Sequence, residues 1–180
     1  MKISSISKFV HTNSLKYLHK HAIVVDATVG NGHDALYILQ NLPIGTVYAF
    51  DIQKEAIDNA KIKCSKYYNI EYILDSHSNI DKYITRNIDL AIYNLGYLPN
   101  STSEISTSAF STIISVEKTL LLLKQSGAII ITIYTGHDNH LEEKGLINYI
   151  ETLSTFEYII CKYQMLNKVD APYVVIIEKR

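Results

Sequence analysis

The chain has no tryptophan, only three prolines and two cysteines, and no apolar run near the ~18 residues that span a bilayer. Each shortage excludes something. Cys64 and Cys161 lie far apart without partner spacing, which leaves two ordinary thiols and excludes a disulfide scaffold or a cysteine-rich metal site. An excess of either charge is also missing: 17 Lys and Arg stand against 18 Asp and Glu, so the net charge is −1. No global basic field results, and contact with nucleic acid has to come from a local patch. The first residues, Met1 to Lys8, lack the continuous apolar core of a secretory signal, so a cytoplasmic location is expected. No repeat, low-complexity tract or linker is visible. What is there is 180 residues with 47% hydrophobic content, enough for one domain over 1–180 with a good core.

The most informative stretch is Ile23 to Leu39, which reads as strand, turn, helix. Ile23, Val24 and Val25 form a short apolar run of the sort buried on both faces of a parallel sheet. Gly30 and Gly32 permit a tight turn with bare backbone, and Ala35, Leu36, Ile38 and Leu39 resume at helical spacing. A glycine turn between a buried strand and a helix start is a nucleotide-cofactor site. Gly30-x-Gly32-x-x-Ala35 also satisfies the loose dinucleotide fingerprint, so charge has to decide. Asp26, Asp51 and Asp75 each end an apolar run, and Asp34 lies in the first turn of the helix. The carboxyl ends of adjacent strands line one crevice in an open α/β sheet, so these acids should converge. They would repel a pyrophosphate but suit S-adenosylmethionine, which carries a sulfonium and an ammonium and no phosphate.

Strands are expected at 22–27, 46–51, 70–75, 88–93, 127–134, 157–164 and 173–178, and helices near 33–41, 54–67, 78–84, 105–124 and 140–153. Alternation of this sort gives βαβ units and a mostly parallel sheet with helices on both faces. Only Asn167 to Pro172 separates the last two strands, so they should form an antiparallel hairpin at one edge. That ending is the class I methyltransferase arrangement. Pro43-Ile-Gly45 and Gln125-Ser-Gly127 read as helix-to-strand turns with glycine after the helix. The segment 1–20 is helix-like, with a break expected near Thr12-Asn13. Its Lys2, Lys8, His11, Lys16, His19, Lys20 and His21 form either a solvated face or a phosphate-contacting patch. His11 stands apart, because it sits beside apolar Phe9 and Val10.

Past Asp51, Ile52 and Gln53 should flank adenine and ribose, and Asp75-Ser76-His77 follows the third strand where a methyltransferase grips the adenine. His77 is either such a contact or a loop histidine. The fourth strand runs into Asn94-Leu95-Gly96-Tyr97-Leu98-Pro99, a variant of the Asx-Pro-Pro-aromatic turn of amino-group methyltransferases. The Asn94 side-chain oxygen and the Leu95 carbonyl can each accept a hydrogen from an acceptor nitrogen and so fix its direction, while Tyr97 could stack on a base. Residues 99–108 form a polar loop placed to act as a lid. His137 is a candidate proton acceptor or RNA contact. His137-x-x-His140 with Glu142 and Glu143 lacks the zincin spacing, so no metal is expected.

Asp26-Ala-Thr-Val-Gly-Asn-Gly-His-Asp34, Asn94 to Pro99, Tyr134-x-Gly136-His137 and the ending Asn167…Ala-Pro172-Tyr-Val-Val-Ile-Ile-Glu-Lys179 together resemble the rRNA methylase family of class I methyltransferases. The resemblance spans nearly the whole chain. It implies a Rossmann-like fold and, as in characterised members, methylation of the tRNA wobble base, converting 5-aminomethyl-2-thiouridine to its methylaminomethyl form. Asn31, Asp51, Gln53, Ser76 and His77 then look like methyl-donor contacts, and Asn94 to Tyr97 like the transfer site. The full set expected around the donor is Asp26, Thr28, Gly30, Asn31, Gly32, Asp34, Asp51, Ile52, Gln53, Asp75, Ser76, His77 and Asn94. The partner implied is the anticodon arm of tRNA with its modified wobble uridine, and nothing in the sequence opposes a homodimer. An rRNA or small-amine acceptor is the alternative. The family usually continues Leu-Pro with Gly-Gly-Asp-Lys and Gly-His with Pro and Gly; this chain has Asn100 to Ser103 and Asp138-Asn-His140 there.

Overall fold

The β-branched runs become strands whose successive side chains pack against opposite layers of helix. A computed structural model describes residues 4–85, 87–95, 109–135 and 141–180. Among them lie α1 (Ile6–Ser14), β1 (Ile23–Asp26), α2 (His33–Asn41), β2 (Thr46–Asp51), α3 (Lys54–Lys63), β3 (Ile70–Leu74), β4 (Ile88–Leu95), α4 (Ala109–Leu122), β5 (Leu123–Ile133), α5 (Leu141–Glu151), β6 (Tyr158–Tyr163) and β7 (Tyr173–Lys179). Two 3₁₀ turns, Leu15–Tyr17 and His77–Lys82, complete the described elements.

The described strands form one sheet in the order β3-β2-β1-β4-β5-β7-β6. Pairing is parallel from β3 to β5, and β7 runs antiparallel to both β5 and β6. The expected hairpin at one edge is therefore present. Val24 and Val47 point into a layer with Val10 of α1, Ile38 and Leu39 of α2, and Ile57 and Ala60 of α3. Their neighbours Val25 and Tyr48 point the other way, toward Ile80, Val116 and Leu120 of α4, and Leu146 of α5. Period-two alternation between two apolar layers is what buries both faces of a parallel sheet. Among the described residues no helix is long and apolar enough to cross a membrane.

Several boundaries differ from expectation for local reasons. No break occurs at Thr12-Asn13: α1 continues to Ser14, with Asn13 Nδ2 donating to the Phe9 carbonyl (2.8 Å) and Ser14 Oγ to that of Val10 (2.9 Å). Those polar side chains bond back into their own helix instead of ending it. The helix expected over 54–67 stops at Lys63, where bonds of 3₁₀ spacing such as Tyr67 N to Cys64 O (3.0 Å) take over. Residues 77–82 are 3₁₀ rather than α. The strand expected from 127 begins at Leu123, because Leu123 already pairs with Ile88 ahead of a register shift.

Candidate active site

Strand length builds this site. β1 has four residues and β4 eight, so β4 runs on past its neighbour and its backbone needs other partners there. The glycine turn supplies them: Ala27 N–H donates to the Ile92 carbonyl (2.9 Å), and Thr28 Oγ1 accepts from Asn94 N–H (2.7 Å). Val29 N–H donates to the Phe50 carbonyl (2.8 Å), which ties the same turn to β2. One loop thereby fixes the ends of three strands.

Within the turn, Gly30 and Gly32 have φ of 48° and 74°, the left-handed region that glycine enters without strain. A Cβ on Gly32 would lie 2.9 Å from the Ala60 Cα, so the residue also lets α3 approach closely. The Gly30 N–H donates to one oxygen of Asp51 (3.0 Å) and the Gln53 N–H to the other (2.9 Å). Each Asp51 oxygen keeps a lone pair for a hydroxyl donor. Burial raises the Asp51 pKa, opposed by the amides of Gln53, Gly30 and Ile52. Ile52 beside it is 53% exposed, an apolar surface next to a carboxylate where an adenosine would lie.

Asp26 is buried, and one of its oxygens accepts from Thr28 N–H (3.3 Å) while the other has no hydrogen-bond partner among the described residues. Burial first, then the charge of Asp34, pushes its pKa well above the ordinary carboxylate range. Asp34 sits at the centre. One oxygen lies 2.6 Å from His11 Nε2, and the other accepts from Asn94 Nδ2. The His11 ring stacks on Tyr37 at 3.9 Å between centroids. Tyr134, at the end of β5, has its pKa raised by burial and then by the Asp34 charge, which places it on the same rim.

Other expected contacts are committed locally. Asp75 accepts from Ser76 N–H (2.7 Å), Asn79 Nδ2 (3.0 Å) and Tyr83 Oη (2.8 Å), and its Asn79 and Tyr83 bonds hold its pKa low. Ser76 caps the 3₁₀ turn through Ser78 N–H (3.2 Å), and Asn31 Oδ1 accepts from Asn59 Nδ2 (3.0 Å). His77 is 7% exposed, edge-on to Tyr93 at 5.9 Å, and burial lowers its pKa to about 4. It is a neutral core-facing ring at physiological pH, not a loop histidine. Leu95 is buried at the end of β4. Tyr97, His137 and the loop 99–108 lie outside the described residues. Sequence reasoning gave no partner to His11, since its bond to Asp34 crosses 23 positions and depends on how α1 packs on α2. Its one signal was a histidine among apolar neighbours.

The arrangement fits S-adenosylmethionine. A buried carboxyl oxygen without a hydrogen-bond partner among the described residues, bare glycine backbone in the turn that follows and an acidic rim suit a cation-bearing nucleoside and disfavour a pyrophosphate. Asp51 would hold the ribose hydroxyls, Ile52 would cover the adenine, and the Gly30–Gly32 backbone would lie along the methionine part.

Comparison with known proteins agrees. The sequence model of the rRNA methylase family matches residues 47–179. A chloroplastic tRNA (mnm(5)s(2)U34)-methyltransferase of Arabidopsis thaliana is 32% identical over 91% of this chain, which spans 65% of that relative's length. The crystal structure of an rRNA methylase from Clostridium thermocellum superposes with a TM-score of 0.96 at 31% identity, covering 100% of both chains. A Streptococcus mutans methyltransferase in complex with SAH superposes at 0.92 and 33% identity, covering 99% of this chain and 100% of that one.

Proposed function

The chain belongs to the rRNA methylase family of S-adenosylmethionine-dependent methyltransferases, and from that premise we propose that it methylates the exocyclic aminomethyl nitrogen of a tRNA wobble uridine. The observation that carries this reading is the setting of Asn94. Its backbone N–H is held by Thr28 Oγ1 and its side-chain nitrogen by Asp34, which turns Oδ1 away from Asp34 at the end of β4. An amide oxygen held there can accept a hydrogen from an incoming amine. That contact turns the nitrogen lone pair in one direction, and alignment of this kind lowers the barrier by removing orientational freedom.

When bound, S-adenosylmethionine supplies an electrophilic methyl on a sulfonium. The acceptor must be a neutral amine, because an ammonium has no lone pair to donate. Asn94 is uncharged and partly buried, and that burial favours the neutral form against the opposing pull of the Asp34 carboxylate behind it. In this reading the Leu95 carbonyl takes a second amine hydrogen, Tyr97 stacks on the uridine and His137 receives the proton. The name of the Arabidopsis relative supports tRNA as the partner. In this reading the substrate is 5-aminomethyl-2-thiouridine and the place of action cytoplasmic, and a homodimer is compatible with it. The family's rRNA description favours a second reading, methylation of rRNA.

The test offers the protein, with S-adenosylmethionine, undermodified tRNA bearing the aminomethyl group, bulk rRNA and a free small amine. Methyl should enter the wobble nucleoside of the tRNA, read by nucleoside mass spectrometry. Asn94→Ala should lower kcat by about a hundredfold while donor affinity changes by about twofold or less. Methylation of rRNA alone, or an Asn94→Ala enzyme of normal rate, would overturn the reading.

A further inference from the structure

We propose that Asp34 and His11 are positioning residues for methyl transfer: the carboxylate of Asp34 holds the Asn94 side-chain amide in one orientation, and His11 holds the carboxylate. The proposal rests on the reading of Asn94 given above and adds two residues to it.

A carboxylate can only accept hydrogen bonds. Since Asp34 contacts Asn94 through Nδ2, the amide is fixed with nitrogen toward Asp34 and Oδ1 away from it. Without that partner the amide could turn over and present N–H to an acceptor amine, two donors facing each other. The second Asp34 oxygen is 2.6 Å from His11 Nε2, so that nitrogen carries the hydrogen. His11 is in turn held flat against Tyr37, one helical turn beyond Asp34 on α2. Val10 and Ser14, both buried, anchor α1 beneath it. Both Asp34 oxygens are thus occupied by side chains, so Asp34 serves the donor less directly than its place in the glycine turn suggests. The groups around it are Asp26 on β1, Asn94 on β4, Tyr134 after β5 and His11 on α1.

An ion pair that merely fastens α1 to α2 would affect stability alone. Positioning predicts a different pattern, which three variants separate. His11→Phe keeps a ring to stack on Tyr37 but cannot donate. His11→Gln can donate from a similar reach. Asp34→Ala accepts from neither Asn94 Nδ2 nor His11 Nε2. The first readout is the side-chain amide resonances of Asn94 in ligand-free protein, assigned by their loss in Asn94→Ala. The second is the single-turnover rate with donor dissociation constants.

His11→Phe and Asp34→Ala should displace or broaden the Asn94 amide pair and slow transfer by about ten- to a hundredfold, the scale for a reacting group misplaced by about 1 Å. In the His11 variants donor affinity should stay within about twofold, and His11→Gln should recover to within about fivefold of the parent rate. Unchanged Asn94 resonances in both variants would overturn the proposal, as would a His11→Gln enzyme as slow as His11→Phe. If Asp34→Ala does not fold, the two His11 variants decide alone. If the parent protein fails to methylate the aminomethyl tRNA, the reading of the substrate falls, and the resonances still decide whether Asp34 and His11 orient Asn94.

Discussion

Replacing Thr28 by valine isolates one hydrogen bond at the centre of the site. Valine keeps the β-branch and nearly the volume, so the change removes the hydroxyl and little else. In the parent, Thr28 Oγ1 accepts from Asn94 N–H at 2.7 Å, at the point where β4 has outrun β1. In Thr28→Val the N–H loses its partner, and stranding a buried donor costs about 1–3 kcal/mol. Thr28 is only partly buried, so water can approach and the lower half of that range applies. About 1–2 kcal/mol in a chain of this length lowers Tm by roughly 2–8 °C. The release of Asn94 should also slow methyl transfer by about tenfold, because the amide is anchored through that backbone. Urea unfolding and single-turnover rates measure both quantities. Thr28→Ser is the control: it keeps the oxygen, so it should retain the rate even if loss of the methyl costs some stability. Parental stability and rate in Thr28→Val would refute the reasoning, and so would a Thr28→Ser variant that loses as much rate as Thr28→Val.

Gly32→Ala should cost about 2–5 kcal/mol, adding a non-glycine residue at φ 74° to a Cβ 2.9 Å from the Ala60 Cα; a urea midpoint equal to the parent's would show that α3 yields freely. His77, with its pKa lowered to about 4 by burial, binds a proton less readily folded than unfolded, so it makes stability rise with pH between about 4 and 6.5. The upper limit is about 3 kcal/mol, and it should vanish in His77→Phe; an unchanged slope there would reject the assignment. Asp26 acts in the opposite sense: its raised pKa means that ionising it costs stability as pH climbs past the ordinary carboxylate range. Relative to the parent, Asp26→Asn should therefore gain stability between pH 4 and pH 8 in urea unfolding, and a relative loss over that range would contradict the neutral-leaning state.

The fold was legible because its signals are local. β-branched runs such as Ile23 to Val25 cannot sit comfortably on a wet surface, and the nine residues 164–172 between the last two strands leave little room for a helix. Turn chemistry was legible in part. At Gln125-Ser-Gly127 the left-handed residue is Ser126, at φ 60°, while Gly127 is needed because a Cβ there would lie 3.0 Å from the Ile88 carbonyl oxygen. Gly45 likewise answers a close approach, since its Cβ would fall 2.2 Å from the Ala22 oxygen. A glycine in sequence cannot say whether it serves a dihedral or a neighbour. The site was legible to the level of strand ends. Which way each carboxylate turns was not, because Asp75 is claimed by Asn79 and Tyr83 from the turn that follows it, and Asp34 by partners 23 positions before and 60 after it.

Those orientations change the electrostatic argument in a way that bears on the acceptor. A sequence count makes the rim a uniform cluster of negative charge. The structure grades it: Asp75 is occupied by its own turn, Asp26 is pushed toward its neutral form, and Asp34 stands between two donors. A carboxylate at the transfer point itself would favour the ammonium form of an amine, which cannot attack. In the proposed reading Asn94 places an uncharged acceptor there, with the Asp34 carboxylate on the far side of its amide. The negative charge would then orient the amide from farther away than a carboxylate at the transfer point, which weakens its hold on an ammonium proton. On the proposed reading, an acidic rim and a neutral transfer residue are thus two parts of one requirement, to accommodate a cationic donor while keeping the acceptor uncharged.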